Sequence, residues 1–193
     1  MSTKHIKVLK IGGMKRMKGF RNLFNSCMLN KKGGRGIVMI RVLFVCLGNI
    51  CRSPMAEAIF RQKVKAEGLD HLITVDSAGT GDWHIGNRPH DGTLQKLEQY
   101  AISSEGMVAR QLTADDDEQF DYIIGMDANN VRDIRDVFGT EDEAKVFRLL
   151  DITNNHKDVP DPYFTGDFDE TYALLTEGCD RLLEKIKEEH HFV

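Results

Sequence analysis

Apolar and polar positions alternate between two rhythms along most of the chain. Residues 39–45 (MIRVLFV) are almost continuously apolar, which predicts a strand buried on both faces. Residues 54–68 then turn to a helical pattern. Ser53 is placed to cap that helix, Pro54 suits its first position and Gly68 can end it. The same alternation continues downstream: strand 73–79, helix 92–102, strand 120–126, helix 128–138 and strand 144–150. In the last stretch, roughly 168–188, apolar residues stand at 168, 172, 175, 179, 182 and 186. Steps of four and three keep them on one helical face. Strands that alternate with helices predict an α/β fold of three layers, a parallel sheet with helices on both faces.

The first 38 residues do not join this pattern. They mix Lys, Gly and Asn with scattered apolar residues, and NKKGGRG (30–36) reads as a linker. Ten of the 26 Lys and Arg lie here, with no Asp or Glu. Either this is a disordered extension, or the start is assigned too early and Met39 is the true one. A basic tail for an anionic partner, or a targeting segment, is the functional alternative. The domain is therefore expected over 39–193. It holds sixteen basic against 30 acidic residues, a balance that argues against nucleic-acid binding. No apolar run reaches the ~18 residues of a membrane span, and Arg41 splits the longest one. Cys27, Cys46, Cys51 and Cys179 are too few and scattered for a disulfide framework or a zinc site. A reducing, cytoplasmic setting follows as the expectation, with no metal or cofactor.

The densest chemistry lies between the first strand and the first helix, in VCLGNICRSP (45–54). In parallel α/β sheets ligands bind beyond the carboxyl ends of the strands, and this turn lies at that edge. Gly48 and Asn49 tolerate unusual backbone angles. A loop entering a helix start aims N–H groups at one point, which attracts an oxyanion. Arg52 adds a planar fork suited to phosphate oxygens. The same field favours a thiolate on Cys46, a nucleophile. A cysteine and an arginine six residues apart are a weak signal alone. The position between strand and helix strengthens it over the alternative, a buried structural cysteine.

This stretch resembles the signature of the low-molecular-weight protein tyrosine phosphatases. VDSAGT (75–80), VARQLT (108–113), FDYIIGMD (120–127) and DPYF (161–164) extend the resemblance from residue 40 to about 188. It implies a four-stranded parallel sheet with the phosphate-binding loop after the first strand. The implied reaction is hydrolysis of phosphotyrosine and aryl phosphate monoesters through a cysteinyl-phosphate. In that reading Cys46 is the nucleophile, Arg52 holds the phosphoryl oxygens, and Asp161 protonates the leaving phenol and then activates water. Leu47, Gly48, Asn49, Ile50, Cys51 and Ser53 surround the phosphate, Ser53 also steadying the thiolate. Asn49 and Ser77 brace the loop, and Trp83 and Tyr163 stand at the mouth. The implied partner is a phosphotyrosine-containing protein, and the enzyme is expected to be a monomer.

Asp161 also has an argument of its own. Pro160 and Pro162 restrict the backbone around it, and a stiff loop can hold a carboxyl over a pocket walled by Tyr163 and Phe164. A solvated Asp-Pro turn is the alternative. Cys51 reads either as a redox partner of Cys46, as the family has it, or as a small apolar filler. Cys179 reads as core. Met107 and Val108 stand where the family often has a histidine before ARQ. Phe164 replaces a frequent second tyrosine. Ile50 occupies a position where the branch that dephosphorylates arginine tends to have threonine, so it favours phosphotyrosine. Two other functions compete: a thiol-dependent arsenate reductase on this fold, and a non-catalytic phosphate-binding regulator. The first needs further cysteines near the loop, and the second is incompatible with turnover of an aryl phosphate.

Overall fold

The computed structural model describes residues 39–140 and 142–192, so the expectations for residues 1–38 lie outside the described residues. Four parallel strands form one sheet in the order β2-β1-β3-β4: β1 (Ile40–Cys46), β2 (Ile73–Gly79), β3 (Tyr122–Gly125) and β4 (Val146–Arg148). Around them run α1 (Arg52–Ala66), α2 (Asp91–Gln99), α3 (Asp116–Gln119), α4 (Ala128–Phe138), α5 (Pro162–Thr165) and α6 (Phe168–His190). The three-layer α/β expectation holds.

β1 pairs at both edges, and helices cover both of its faces. Ile40, Val42 and Phe44 point into the larger core with Met55, Ile59 and Phe60 of α1 and Leu175, Leu182 and Ile186 of α6. Leu43 and Val45 point the other way, onto Ile123, Val146 and Ile134 of α4. This two-residue alternation is the pleat of a strand. The stripe expected on the last helix is real. Cys179, Leu175, Leu182 and Ile186 are fully buried, while Phe168 and Tyr172 cover its edge. Burying each large aliphatic side chain stabilises the fold by roughly 1.5–3 kcal/mol. Among the described residues, no helix is long and apolar enough to cross a membrane.

Several boundaries differ from expectation. The first helix begins at Arg52, not Pro54, and Ser53 is not its cap. Cys51 is the cap residue and makes no capping side-chain hydrogen bond, while Ser53 lies inside the helix with its hydroxyl engaged in the loop. Gly68 does end the helix, at φ 69°, with Gly68 N–H donating to Lys65 O and Leu69 N–H to Val64 O. α2 ends at Gln99, and Ala101 turns left-handed (φ 53°). The apolar run at 144–150 yields only a three-residue strand, after which Leu149–Ile152 tighten into a 3₁₀ turn. Leu149 and Leu150 are buried all the same, so burial and not strand pairing explains their apolarity.

Chain order makes the carboxyl edge of β1 a switch point. The chain leaves β1 to build β2 on one side and later returns to build β3 and β4 on the other. The crevice at such an edge is where this architecture binds ligands.

Candidate active site

Residues 46–51 wrap around the start of α1. Asn49 takes φ 54°, the left-handed conformation that Asn accepts at low cost. Gly48 does not use the positive φ open to glycine. Gly79, at the end of β2, serves the loop by its lack of a side chain. A Cβ there would stand 3.0 Å from Leu47 O and 3.1 Å from Asn49 N. The uncapped first turn of α1 directs its N–H groups into the loop, together with the positive end of the helix dipole.

The Cys46 sulfur lies within this turn. It accepts from Asn49 N–H at 3.3 Å and lies 3.1 Å from Ser53 Oγ. Asn49 organises the surroundings with its whole amide. Its Nδ2 donates to Ser53 Oγ (2.9 Å) and Ser77 Oγ (2.8 Å), and its Oδ1 accepts from Arg110 N–H (2.9 Å). Ser77 in turn donates to Glu57 Oε2 at 2.6 Å. With Asn49 as donor, the Ser53 proton is left to point at Cys46 Sγ or at Ala78 O (3.3 Å). Glu57 is a carboxyl buried on α1. Burial pushes its pKa up, while the Ser77 hydroxyl and Arg61, 2.8 Å away, partly offset the cost.

Arg52 closes the other side. Its Nη1 meets Asp127 Oδ2 and its Nη2 meets Asp161 Oδ2, both at 2.6 Å. Burial works against the guanidinium charge, but Cys46, Asp161 and Asp127 outweigh it and hold its pKa above the ordinary value. The fork thus spans two carboxylates here, whereas the sequence suggested only phosphate oxygens. Asp127 Oδ1 also caps α4 by accepting from Asn130 N–H (2.7 Å). Asp161 caps α5, its Oδ1 accepting from Tyr163 N–H at 3.1 Å. The stiff loop expected around Asp161 is therefore a capped helical turn.

A cavity of about 240 Å³ opens above the loop. Cys46, Leu47, Gly48, Ile50 and Cys51 line it from the loop, and Asp161 lines its wall. Trp83, His84, Tyr163 and Phe164 ring its mouth, with Trp83, Tyr163 and Phe164 exposed by 57% or more. Asn49, Arg52, Ser53 and Ser77 do not line it; Asn49, Arg52 and Ser53 support it from behind. Burial drives the Cys51 thiol up to about 12, with the Asp161 charge and Cys46 adding to the rise, so it stays protonated. Cys179 donates to Ala56 O at 3.7 Å within the core, as expected. A wider depression, about 610 Å³, lies between α4 and β4. Its arginines pair with neighbouring acids, Arg148 with Asp151 and Arg135 with Glu143.

Sequence reasoning missed Glu57, His84, His90 and Arg110. Glu57 had a signal: a lone acid inside the apolar run PMAEAIF, flanked by two alanines. Arg110 lies within the VARQLT stretch, which was given no role for it; His84 and His90 had no signal, because tertiary approach brings them to the loop.

The sequence profile described as low molecular weight phosphotyrosine protein phosphatase matches residues 41–191. The low molecular weight protein-tyrosine-phosphatase YfkJ of Bacillus subtilis is 52% identical over 153 residues, 78% of this chain and 98% of its own. Its crystal structure gives a TM-score of 0.78 over 81% of this chain and 99% of that one. The low molecular weight protein-tyrosine-phosphatase PtpA of Staphylococcus epidermidis is 46% identical over 149 residues, 77% of this chain and 94% of its own. A crystal structure of a Drosophila arginine phosphatase is 33% identical with a TM-score of 0.70, over 77% of this chain and 98% of that one.

Proposed function

The chain belongs to the low molecular weight phosphotyrosine protein phosphatases and is a protein-tyrosine phosphatase, and we propose that Cys46, Arg52 and Asp161 carry its reaction. One observation supports these roles above the rest: Cys46 and Asp161 face one cavity across the uncapped start of a helix, with Arg52 bonded to Asp161. The Cys46 thiolate attacks phosphorus, and the bond from phosphorus to the aryl oxygen breaks. Asp161 gives its proton to the departing phenolate. Water then attacks the cysteinyl-phosphate, Asp161 takes the water's proton, the S–P bond breaks, and inorganic phosphate leaves.

The phosphate oxygens meet the N–H groups of the loop and the first turn of α1. Arg52 swings its donors from the carboxylates toward them. Its Nε, buried and without a partner among the described residues, is one donor for that task. Ser53 steadies the thiolate, and Asn49 and Ser77 hold the loop. Trp83 and Tyr163 flank the aromatic ring of the substrate. Ile50 gives the cavity an apolar side chain, which favours phosphotyrosine over phosphoarginine despite the likeness to an arginine phosphatase. The catalytic domain is taken as residues 39–193. The proposed working form is a monomer in the cytoplasm, acting on phosphotyrosine-containing proteins. Thiols at Cys46, Cys51 and Cys179 are compatible with that reducing setting.

The acid assignment has a direct test. Asp161→Asn should slow phosphotyrosine cleavage by roughly 10²–10⁴-fold. Nitrophenyl phosphate, whose phenol is far more acidic, should suffer less in single-turnover measurement. Equal slowing of the two removes Asp161 from the general-acid role.

A further inference from the structure

His90 touches three parts of the site at once. Its backbone N–H donates to Ile50 O in the loop at 2.8 Å. Its Nδ1 accepts from Gly92 N–H at 3.1 Å and so caps α2. That bond leaves Nδ1 bare, so the ring proton sits on Nε2. The ring itself lies against Phe168, with centroids 5.4 Å apart and planes within 13°. Tyr163 meets the same ring edge-on, at 6.1 Å and 77°. Both geometries are favourable for ring pairs.

In the segment that carries Asp161, Tyr163 and Phe168 both follow it closely along the chain. Tyr163 follows it by two residues and donates its N–H to the Asp161 carboxyl. Phe168 opens α6 and also packs against Ile50, Cys51 and Ala109. Upstream, the segment is anchored where Val159 N–H donates to Met126 O at 2.9 Å. Downstream, its anchor is this seat on α2. Gly92 makes the seat possible, since a Cβ there would lie 2.5 Å from the Phe168 ring. Lys96 of α2 ties the same corner by pairing with Asp169.

We infer that His90 is a positioning residue whose ring, held between Phe168 and Tyr163, sets the angle at which Asp161 faces the loop. The inference rests on Asp161 acting as the general acid. Small misplacements of such a group are costly, because proton transfer demands close alignment. A helix cap alone does not require an aromatic ring; Asn caps as well.

The test uses the full chain. His90→Asn keeps a capping side chain and removes the ring. Its kcat for phosphotyrosine should fall about tenfold with KM little changed, and its kcat for nitrophenyl phosphate should fall less. In an Asp161→Asn background the same change should add nothing, since the group being aligned is gone. His90→Phe restores a ring without the cap. It should recover most of the lost kcat, although its melting temperature falls below that of the wild type. Unchanged phosphotyrosine turnover in His90→Asn, additive losses in the double variant, or no recovery in His90→Phe overturns the proposal. Equal slowing of both substrates by Asp161→Asn alone overturns the acid reading, and the His90 proposal with it. A substrate-dependent Asp161→Asn beside an unaffected His90→Asn overturns the His90 proposal only.

Discussion

The loop around Cys46 and the segment around Asp161 meet at Arg52, yet different forces hold them. On the loop side Cys46, Asn49, Cys51, Ser53 and Ser77 are buried, and the Asn49 amide makes three internal hydrogen bonds. On the acid side the main-chain anchor at Val159 is buried, but Tyr163 and Phe164 project into solvent. Aromatic contacts to His90 and a two-residue cap on Asp161 do the holding there. The difference follows from the tasks. Donors for a dianion stabilise charge best when they are fixed before the substrate arrives. In the proposed reaction the acid must instead stand beside an opening through which an aromatic ring enters and a phenol leaves.

The comparison breaks most visibly at its centre. Cys46→Ser should lower turnover of an aryl phosphate by roughly 10⁴-fold or more while the protein still binds an oxyanion such as tungstate. Arg52→Ala should lose both, because it removes the group that the two halves share. Near wild-type hydrolysis by Cys46→Ser would sink the nucleophile assignment.

A second pair of variants sharpens the contrast in stability. Ser77→Ala strips the buried Glu57 carboxyl and Asn49 Nδ2 of a shared partner. Unfolding by denaturant should show a loss of about 1–3 kcal/mol. Phe164→Ala, on the exposed side, should stay within about 0.5 kcal/mol in the same measurement and change KM instead. Similar losses for the two would mean that the halves are held alike.

The smallest effect concerns pH. Burial pushes Glu57 above its ordinary carboxyl value. In the folded state it therefore keeps its proton to higher pH than in the unfolded chain. Its contribution is fully present below the unfolded pKa and is lost as pH rises through the folded one. Glu57→Gln does not titrate. The stability of wild type relative to Glu57→Gln should thus decline from about pH 4.5 upward, by a margin read from melting temperatures across that range. A difference that is flat with pH, or that grows, contradicts the raised pKa.

Local pattern carried much of this protein. The apolar run at 39–45, the six-position stripe on α6 and the C-terminal glycine of α1 each state a short-range physical rule, and each was legible without coordinates. So was the conjunction of Cys46, Asn49 and Arg52, because a strand, a tight turn and a helix start occupy one contiguous stretch. Tertiary structure decided what depends on distant segments. Ser53 reads locally as a cap, but Asn49, Ala78 and Cys46 claim its hydroxyl. Glu57 stands in an apolar run that hints at burial, but its partner is not local: α1 is covered on nearly every side at that level, and Ser77 from β2 supplies the hydrogen bond. Arg52 reads as a phosphate fork, and the carboxylates of Asp127 and Asp161, brought in behind β3 and before α5, share it. His90 carries no motif at all. Its neighbours Phe168 and Tyr163 lie more than seventy residues away in sequence, and only the packing of α2 against the start of α6 brings the three rings together. Propensity and periodicity act over a few residues; a hydroxyl's acceptor, a buried acid's partner and a ring's neighbours are set by which elements the hydrophobic core presses together.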